Sequence, residues 1–242
     1  KNFERFFTKE VDDTQTFLER TIDNHLNLKK MEIKNMDNIF PKRIVQKLKN
    51  NKIKNIIITG MGSCYTAAVG ISKYLSNLLI KNGNYEMKVQ ATIASEGSGF
   101  YLSKDMSDSI VIVIAQSGTT IDTNVFAKLA KIRGAYTLAL ANKRDGDITY
   151  IVENCLYLGN GRDVELSVPS TKTYTCHLFL GFVLSEKISL YLFNKVSKNI
   201  FQISKDIKKN LKIKRLINFH SQKINKINFN VFKYINWIVL FD

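Results

Sequence analysis

Three segments of this 242-residue chain concentrate small polar groups where an apolar run gives way to a helical pattern. The first is TGMGSCYTAA, residues 59–68. Glycines between a strand and a helix start let the backbone approach a ligand, with free N–H groups and the helix dipole favouring an anion. Tyr65 breaks the G-x-G-x-x-G pattern and no acidic residue closes a following strand, which argues against a dinucleotide. A tight strand–helix turn also requires glycine with no ligand at all. The second segment is AQSGTT, residues 115–120, which lacks the Lys of a Walker loop. Gln116, Ser117, Thr119 and Thr120 could ring a phosphate with neutral donors, suiting a small phosphorylated metabolite. The alternative is a helix cap by Ser117 or Thr120, which needs only one such residue. The third is GRDVELSVPSTKTYT, residues 161–175. It enters an apolar helical pattern through Pro169, Ser170 and Thr171, with Pro suited to a helix start and the hydroxyls to a cap. Lys172 then falls at the positive end of that helix, where a cation is unfavourable. A bound anion or Glu165 would compensate; an exposed Lys on an ordinarily capped helix is the alternative.

These segments must be carried by regular elements, and the periodicity supplies them. Residues 1–30 read as a helix, with Phe3, Phe6, Phe7, Val11, Phe17, Leu18, Ile22 and Leu26 near helical spacing, and residues 42–50 as a short helix after Pro41. Strands are expected at 54–60, read from its continuous β-branched run, and at 87–94, 109–115, 135–142 and 154–159. Helices are expected at 64–79, 122–134 (closing on Gly134) and from Ser170 to about Phe193, followed by a basic helix. Strand–helix alternation with continuous apolar strands predicts an α/β fold: a mostly parallel sheet covered on both faces. Ligands of such sheets sit beyond the carboxyl ends of the strands, where the first two polar segments fall.

Composition narrows the function classes. No apolar run reaches 18 residues and residues 1–30 lack a secretory signal pattern, so neither a membrane span nor a leader is expected. Cys64, Cys155 and Cys176, with His25, His177 and His220, form neither a disulfide framework nor a zinc spacing; no metal or organic cofactor is implied. Adjacent Cys176 and His177 read as core packing, and a reducing cytoplasm is the expected compartment. The net charge is +15, and residues 194–233 hold eleven Lys/Arg against the single acid Asp206. With Ile200, Ile203, Ile207 and Leu211 at helical intervals, this reads as a helix with a solvated basic face. No aromatic-plus-basic pattern accompanies it, so nucleic acid is not the expected partner. The chain does not begin with Met and ends in the strand-like YINWIVLFD; a piece of a longer protein is expected. KIKNIIITG (52–60) and FKYINWIVL (232–240) share a shape, which suggests a second copy of the domain beginning at 232; a chance likeness between two buried strands is the alternative.

With the three segments in view, the chain resembles the sugar-isomerase (SIS) domain family, and within it the first SIS domain of the glucosamine-6-phosphate synthases (glutamine–fructose-6-phosphate aminotransferases). The family's CGTSY turn matches Met61-Gly62-Ser63-Cys64-Tyr65, its SQSGETADT matches residues 115–123, and its EIGVASTKAFT matches residues 165–175. Ala94–Glu96 (ASE) recurs there, and Phe6, Lys9 and Glu10 resemble the helical segment that leads into the domain. The resemblance covers most of residues 3–193. It implies a three-layer α/β/α sandwich with a five-stranded parallel sheet, a helical lead-in (1–50), a first SIS domain (51–193), a basic helical connector (194–231) and the truncated start of a second SIS domain (232–242).

The resemblance also implies a hexose 6-phosphate ligand. Its phosphate would be held by Gln116, Ser117 and Thr120 with Ser63, together with the backbone at Cys64 and Ala115, and the sugar lined by Val168 and Ser170. Cys64 and Ala115 each replace a family Ser, and Thr119 replaces a Glu. Losing one neutral hydrogen bond costs roughly 0.5–1.5 kcal/mol, so binding survives in weakened form. The implied reaction makes glucosamine 6-phosphate from fructose 6-phosphate and glutamine-derived ammonia, in a cytoplasmic homodimer. Another double-SIS sugar-phosphate deaminase or deglycase, or a non-catalytic sugar-phosphate sensor, is the alternative. The family's catalytic Glu, Lys and His lie beyond this chain; Glu96, Glu165 and Lys172 are the candidates within it, and the chain alone is expected to be inactive.

Overall fold

The computed structural model describes residues 6–163, 165 and 170–216. Five strands, β1 (Asn55–Gly60), β2 (Lys88–Ile93), β3 (Ser109–Ala115), β4 (Tyr136–Ala141) and β5 (Asn154–Tyr157), form one sheet in the order β2-β1-β3-β4-β5. Every neighbouring pair is parallel. Six longer helices accompany it: α1 (Phe6–His25), α2 (Lys42–Lys49), α3 (Ser63–Lys81), α4 (Ile121–Ile132), α5 (Lys172–Phe193) and α6 (Lys198–Leu216).

The strand sequences dictate the layering. All seven positions of β3, SIVIVIA, are buried, so both faces of this central strand are covered. Ile110, Ile112 and Ile114 point into a large core shared with Ile22 of α1, Leu48 of α2, Leu75 of α3 and Leu180 of α5. Val111, Val113 and Ala115 point into a smaller core against Phe126, Ala127 and Ala130 of α4. The period of two thus sorts one strand between two layers, and the result is the expected α/β/α sandwich. Burying one such aliphatic side chain contributes about 1.5–3 kcal/mol. By length and hydropathy α5 would suffice to cross a membrane; here 72% of its most apolar window is buried inside the domain as a central core helix.

Boundaries differ in places from the periodicity. α1 stops at His25, because Leu26–Asn27 and Glu32–Ile33 pair as a short antiparallel ribbon, with Met31 left-handed at φ 55°. Such a ribbon is too short to show an alternating pattern. In α6, Ile200 and Phe201 are buried and Ile207 packs partly buried against the larger core, as the expected face requires, while Ile203 is exposed. Lys205 and Lys209 are exposed, and Lys208 pairs with Asp23 of α1. The strand-like 232–242 segment, its likeness to 52–60, and residues 217–231 of the basic stretch lie outside the described residues.

Candidate functional site

The order β2-β1-β3 reverses the direction of winding between β1 and β3, and a crevice opens at the carboxyl ends of strands at such a point. Both of the first two polar segments lie there. After β1, Gly62 takes φ 55° and ψ −126° to turn the chain into α3. The N–H of Cys64 donates to the Met61 carbonyl (3.1 Å) and that of Tyr65 to the Gly62 carbonyl (3.0 Å). No side chain caps α3, and the Ser63 hydroxyl at its first position has no partner among the described residues.

After β3, the chain passes Gln116 and Ser117 and turns at Gly118, with φ +74°. A Cβ here would stand 2.8 Å from the Gly146 Cα in the loop after β4, so only glycine fits both the angle and the space. α4 then begins at Ile121. Thr120 occupies the capping position but makes no side-chain cap bond, and its side chain is exposed. Ser117 Oγ accepts from the Thr119 N–H (3.3 Å) and the Thr119 hydroxyl (3.1 Å), both in the loop. The capping alternative for Ser117 and Thr120 is therefore not realised. Two helices start at the crevice with their first-turn N–H groups uncapped by side chains.

The third polar segment behaves differently. Ser170 and Thr171 were expected to cap α5 with their hydroxyls; a carboxylate does it instead. Glu165, 6% exposed, accepts from the N–H of Thr171 (2.7 Å) and of Lys172 (3.1 Å) through Oε1. The hydroxyls turn to the same carboxylate: Thr171 (3.1 Å) on Oε1, Ser170 (3.3 Å) and Thr173 on Oε2. Ser170 and Thr173 also share a hydrogen bond of 2.5 Å. The physical reason is charge: an anion satisfies the orphan N–H groups and the positive helix end together. It also offsets Lys172, which is 5% exposed rather than solvated.

Glu165 joins this cap to the crevice. Its carbonyl faces Gln116 Nε2 at 3.5 Å, and its carboxylate lies near the Cys64 thiol. Burial pushes that thiol up to about 11, with the Gln116 N–H bond to its sulfur opposing and the Glu165 charge adding to the rise. Cys64 is thus a neutral thiol at pH 7. Ala115 is buried, and its carbonyl accepts from the Asn142 N–H (3.1 Å). Glu96 stands exposed at the end of the single turn Ala94–Glu96 after β2, with no hydrogen bond or ion pair among the described residues. Val168 lies outside the described residues.

Two further residues beneath the crevice escape sequence reasoning. Asn142, fully buried at the end of β4, links Ala115 to the Asp163 carbonyl through its Nδ2 (3.0 Å). An amide closing the apolar run LALAN was the available signal. Thr173 completes the Glu165 cap from inside α5. His177 is fully buried, as core packing implied, against the backbone of Ala115, Leu140 and Thr173, and neither ring nitrogen has a hydrogen-bond partner among the described residues. Burial lowers its pKa to about 4.

Fold and site together define a doubly wound α/β domain with a crevice at the switch point of the sheet. The chain belongs to the SIS domain family, whose model matches residues 47–186. It is 28% identical over 198 residues to the glutamine–fructose-6-phosphate aminotransferase [isomerizing] of Fusobacterium nucleatum, covering 81% of this chain and 29% of that protein. It is 35% identical over 139 residues to that of Pyrococcus horikoshii, covering 57% and 22%. Among solved structures, the C-terminal domain of glucosamine-fructose-6-phosphate aminotransferase from Francisella tularensis superposes with a TM-score of 0.70 at 20% identity, over 87% of this chain and 55% of that one. The chain spans less than a third of the length of these two curated relatives.

Proposed function

We propose that the crevice between β1 and β3 binds the phosphate of a hexose 6-phosphate. The observation that carries this is the contrast among three helix starts. α5 is capped by Glu165, whereas no side chain caps α3 or α4, whose starts carry the hydroxyls of Ser63 and Thr120. A phosphate would supply negative charge at the start of α3, which has no acidic residue in its first turn, and add to that of Asp122 at α4. Gln116 and Ser117 would complete the ring of neutral donors; at Cys64 and Ala115, which lack the hydroxyl, the Cys64 N–H is taken by the Met61 carbonyl (3.1 Å) and Ala115 pairs with Ala141 inside the sheet, so these two would shape the turns rather than donate. Ser170 and the backbone of Val168 would line the sugar.

The names of the relatives support the finer reading, a segment of a glutamine–fructose-6-phosphate aminotransferase-like protein acting on fructose 6-phosphate; a homodimer is part of the proposal on the resemblance alone. In that segment, residues 51–193 form the first SIS domain, with 1–50 leading in, 194–231 connecting and 232–242 opening a second. Proton transfer between C1 and C2 requires a base with a free lone pair. Glu165 is unsuited, since both carboxylate oxygens are occupied by donors, and Lys172 is buried beside it. Glu96 keeps a free carboxylate among the described residues but stands exposed at the end of its turn, and the resemblance favours proton-transfer groups from other parts of the longer protein.

Isothermal titration of fructose 6-phosphate and glucosamine 6-phosphate, with fructose as control, tests the site. The phosphates are expected to bind and fructose to fail. A hydrogen bond to a charged group is worth about 1.5–3 kcal/mol, so Ser117→Ala with Thr120→Ala should weaken binding on the order of 100-fold or more. No binding of any hexose 6-phosphate, or equal binding by the double variant, rejects the proposal.

A further inference from the structure

Helix α1 lies ahead of the family match, which begins at residue 47, yet one of its faces grips the loop that leads to Glu165. Phe17, Arg20, Thr21, Asn24 and His25 recur at i, i+3, i+4, i+7 and i+8, a single helical stripe. Each contacts the Tyr157–Asp163 segment. The fully buried Thr21 Oγ1 accepts from the Gly159 N–H (3.0 Å), and Asn24 Nδ2 donates to the Gly159 carbonyl. His25 Nε2 meets the Tyr157 carbonyl at 3.0 Å, and Arg20 pairs with Asp163 at 2.9 Å. Phe17 closes over Gly159, where a Cβ would stand 2.5 Å from the ring and where φ is +50°. Both backbone groups of Gly159 are thus held by side chains of one helix.

The loop so held feeds directly into the crevice. The Asp163 carbonyl takes the Asn142 amide, Asn142 N–H holds the Ala115 carbonyl, and Glu165 follows two residues on. We infer that α1 is a positioning element of the candidate site: Thr21 and Asn24 fix the 157–163 loop, and through it the Glu165 cap and the Gln116 turn. Moving α1 along its axis would carry Gly159 with it and loosen the carboxylate from α5. For its effect on ligand affinity the inference rests on the sugar-phosphate reading above; for its effect on Glu165 it does not.

Amide hydrogen exchange on the full chain tests it through the N–H groups of Thr171 and Lys172, which Glu165 holds. Thr21→Val removes the acceptor at nearly constant shape; Thr21→Ser restores it. Asp23→Ala, on another face of α1, removes only the pairing with Lys208. Thr21→Val should speed exchange at Gly159, and at Thr171 and Lys172 by at least tenfold relative to β3 amides. Thr21→Ser and Asp23→Ala should stay at the wild-type rate. Glucosamine 6-phosphate should bind threefold or more weakly to Thr21→Val alone among these. Should Thr21→Val not fold, Asn24→Ala at its half-buried position carries the same expectations. Faster exchange at Gly159 with Thr171 and Lys172 unchanged overturns the inference, as does wild-type affinity in a variant whose cap has loosened. If the wild-type chain binds no hexose 6-phosphate, the proposed function falls and the exchange rates alone decide the role of α1.

Discussion

Replacing Glu165 by Gln separates a structural carboxylate from a catalytic one. The substitution keeps size and shape and removes the charge. One amide oxygen can still accept from the Thr171 and Lys172 N–H groups, and the Ser170 and Thr173 hydroxyls can rotate to accept from the amide nitrogen. What disappears is charge assistance. Two backbone bonds fall from about 1.5–3 kcal/mol toward about 1 kcal/mol each, and a partly buried charge at a helix end is worth up to about 2 kcal/mol. These contributions overlap, so a net loss of about 2–4 kcal/mol is expected. Glu165 is 6% exposed, so solvent screening takes little from that figure. For a chain of this size the melting temperature should fall roughly 5–15 °C, read by circular dichroism at pH 7 and checked by urea unfolding. A fall under 2 °C would refute the capping role. A variant that melts like wild type yet abolishes turnover in the longer protein would make Glu165 a catalytic group.

Three more outcomes follow from the same geometry. Cys64→Ser replaces a neutral, buried thiol with a better donor beside the Gln116 N–H; one regained hydrogen bond of about 0.5–1.5 kcal/mol should tighten hexose 6-phosphate binding roughly 2- to 13-fold by calorimetry, and weaker binding would count against contact there. His177 is neutral when folded and titrates near 4 instead of 6.5, so the unfolded chain binds the extra proton between those values; stability should fall by about 3 kcal/mol as pH drops through that window, with buried His25 adding in the same direction, and His177→Met should flatten most of the slope in urea midpoints taken from pH 6.5 to 4.5. Gly118→Ala combines a positive φ with a 2.8 Å approach to Gly146, and should cost more than about 2 kcal/mol while displacing the Ser117 turn; an unperturbed melting curve would show that the turn relaxes freely.

The sheet was legible because its central strands are unbroken apolar runs, and a run such as SIVIVIA admits few other readings in an alternating α/β chain. AQSGTT was legible because a cap needs one polar residue and four were present; the structure then showed Thr120 making no cap bond. Glu165 was suspected as a counter-charge to Lys172 but not as the cap itself. It reaches α5 from seven residues before the helix begins, and no local periodicity encodes that return. The Thr21–Asn24 stripe was missed for the same reason: its partners are backbone groups distant in sequence, which leave no trace in residue types; Asn142 left only the weak signal of an amide closing an apolar run.

The two outermost strands bear on how such a chain avoids self-association. β5 is only four residues long, and Asn154 at its start donates to the carbonyls of Asn38 and Ile39, so a loop sits against that border. β2 is the longer border, and there Lys88 and Gln90 are exposed. A charge on one open margin, and brevity with a covering loop on the other, discourage strand-to-strand templating between molecules. An otherwise adhesive parallel sheet, rich in isoleucine and valine, is thereby kept from propagating into aggregates while its centre stays dry.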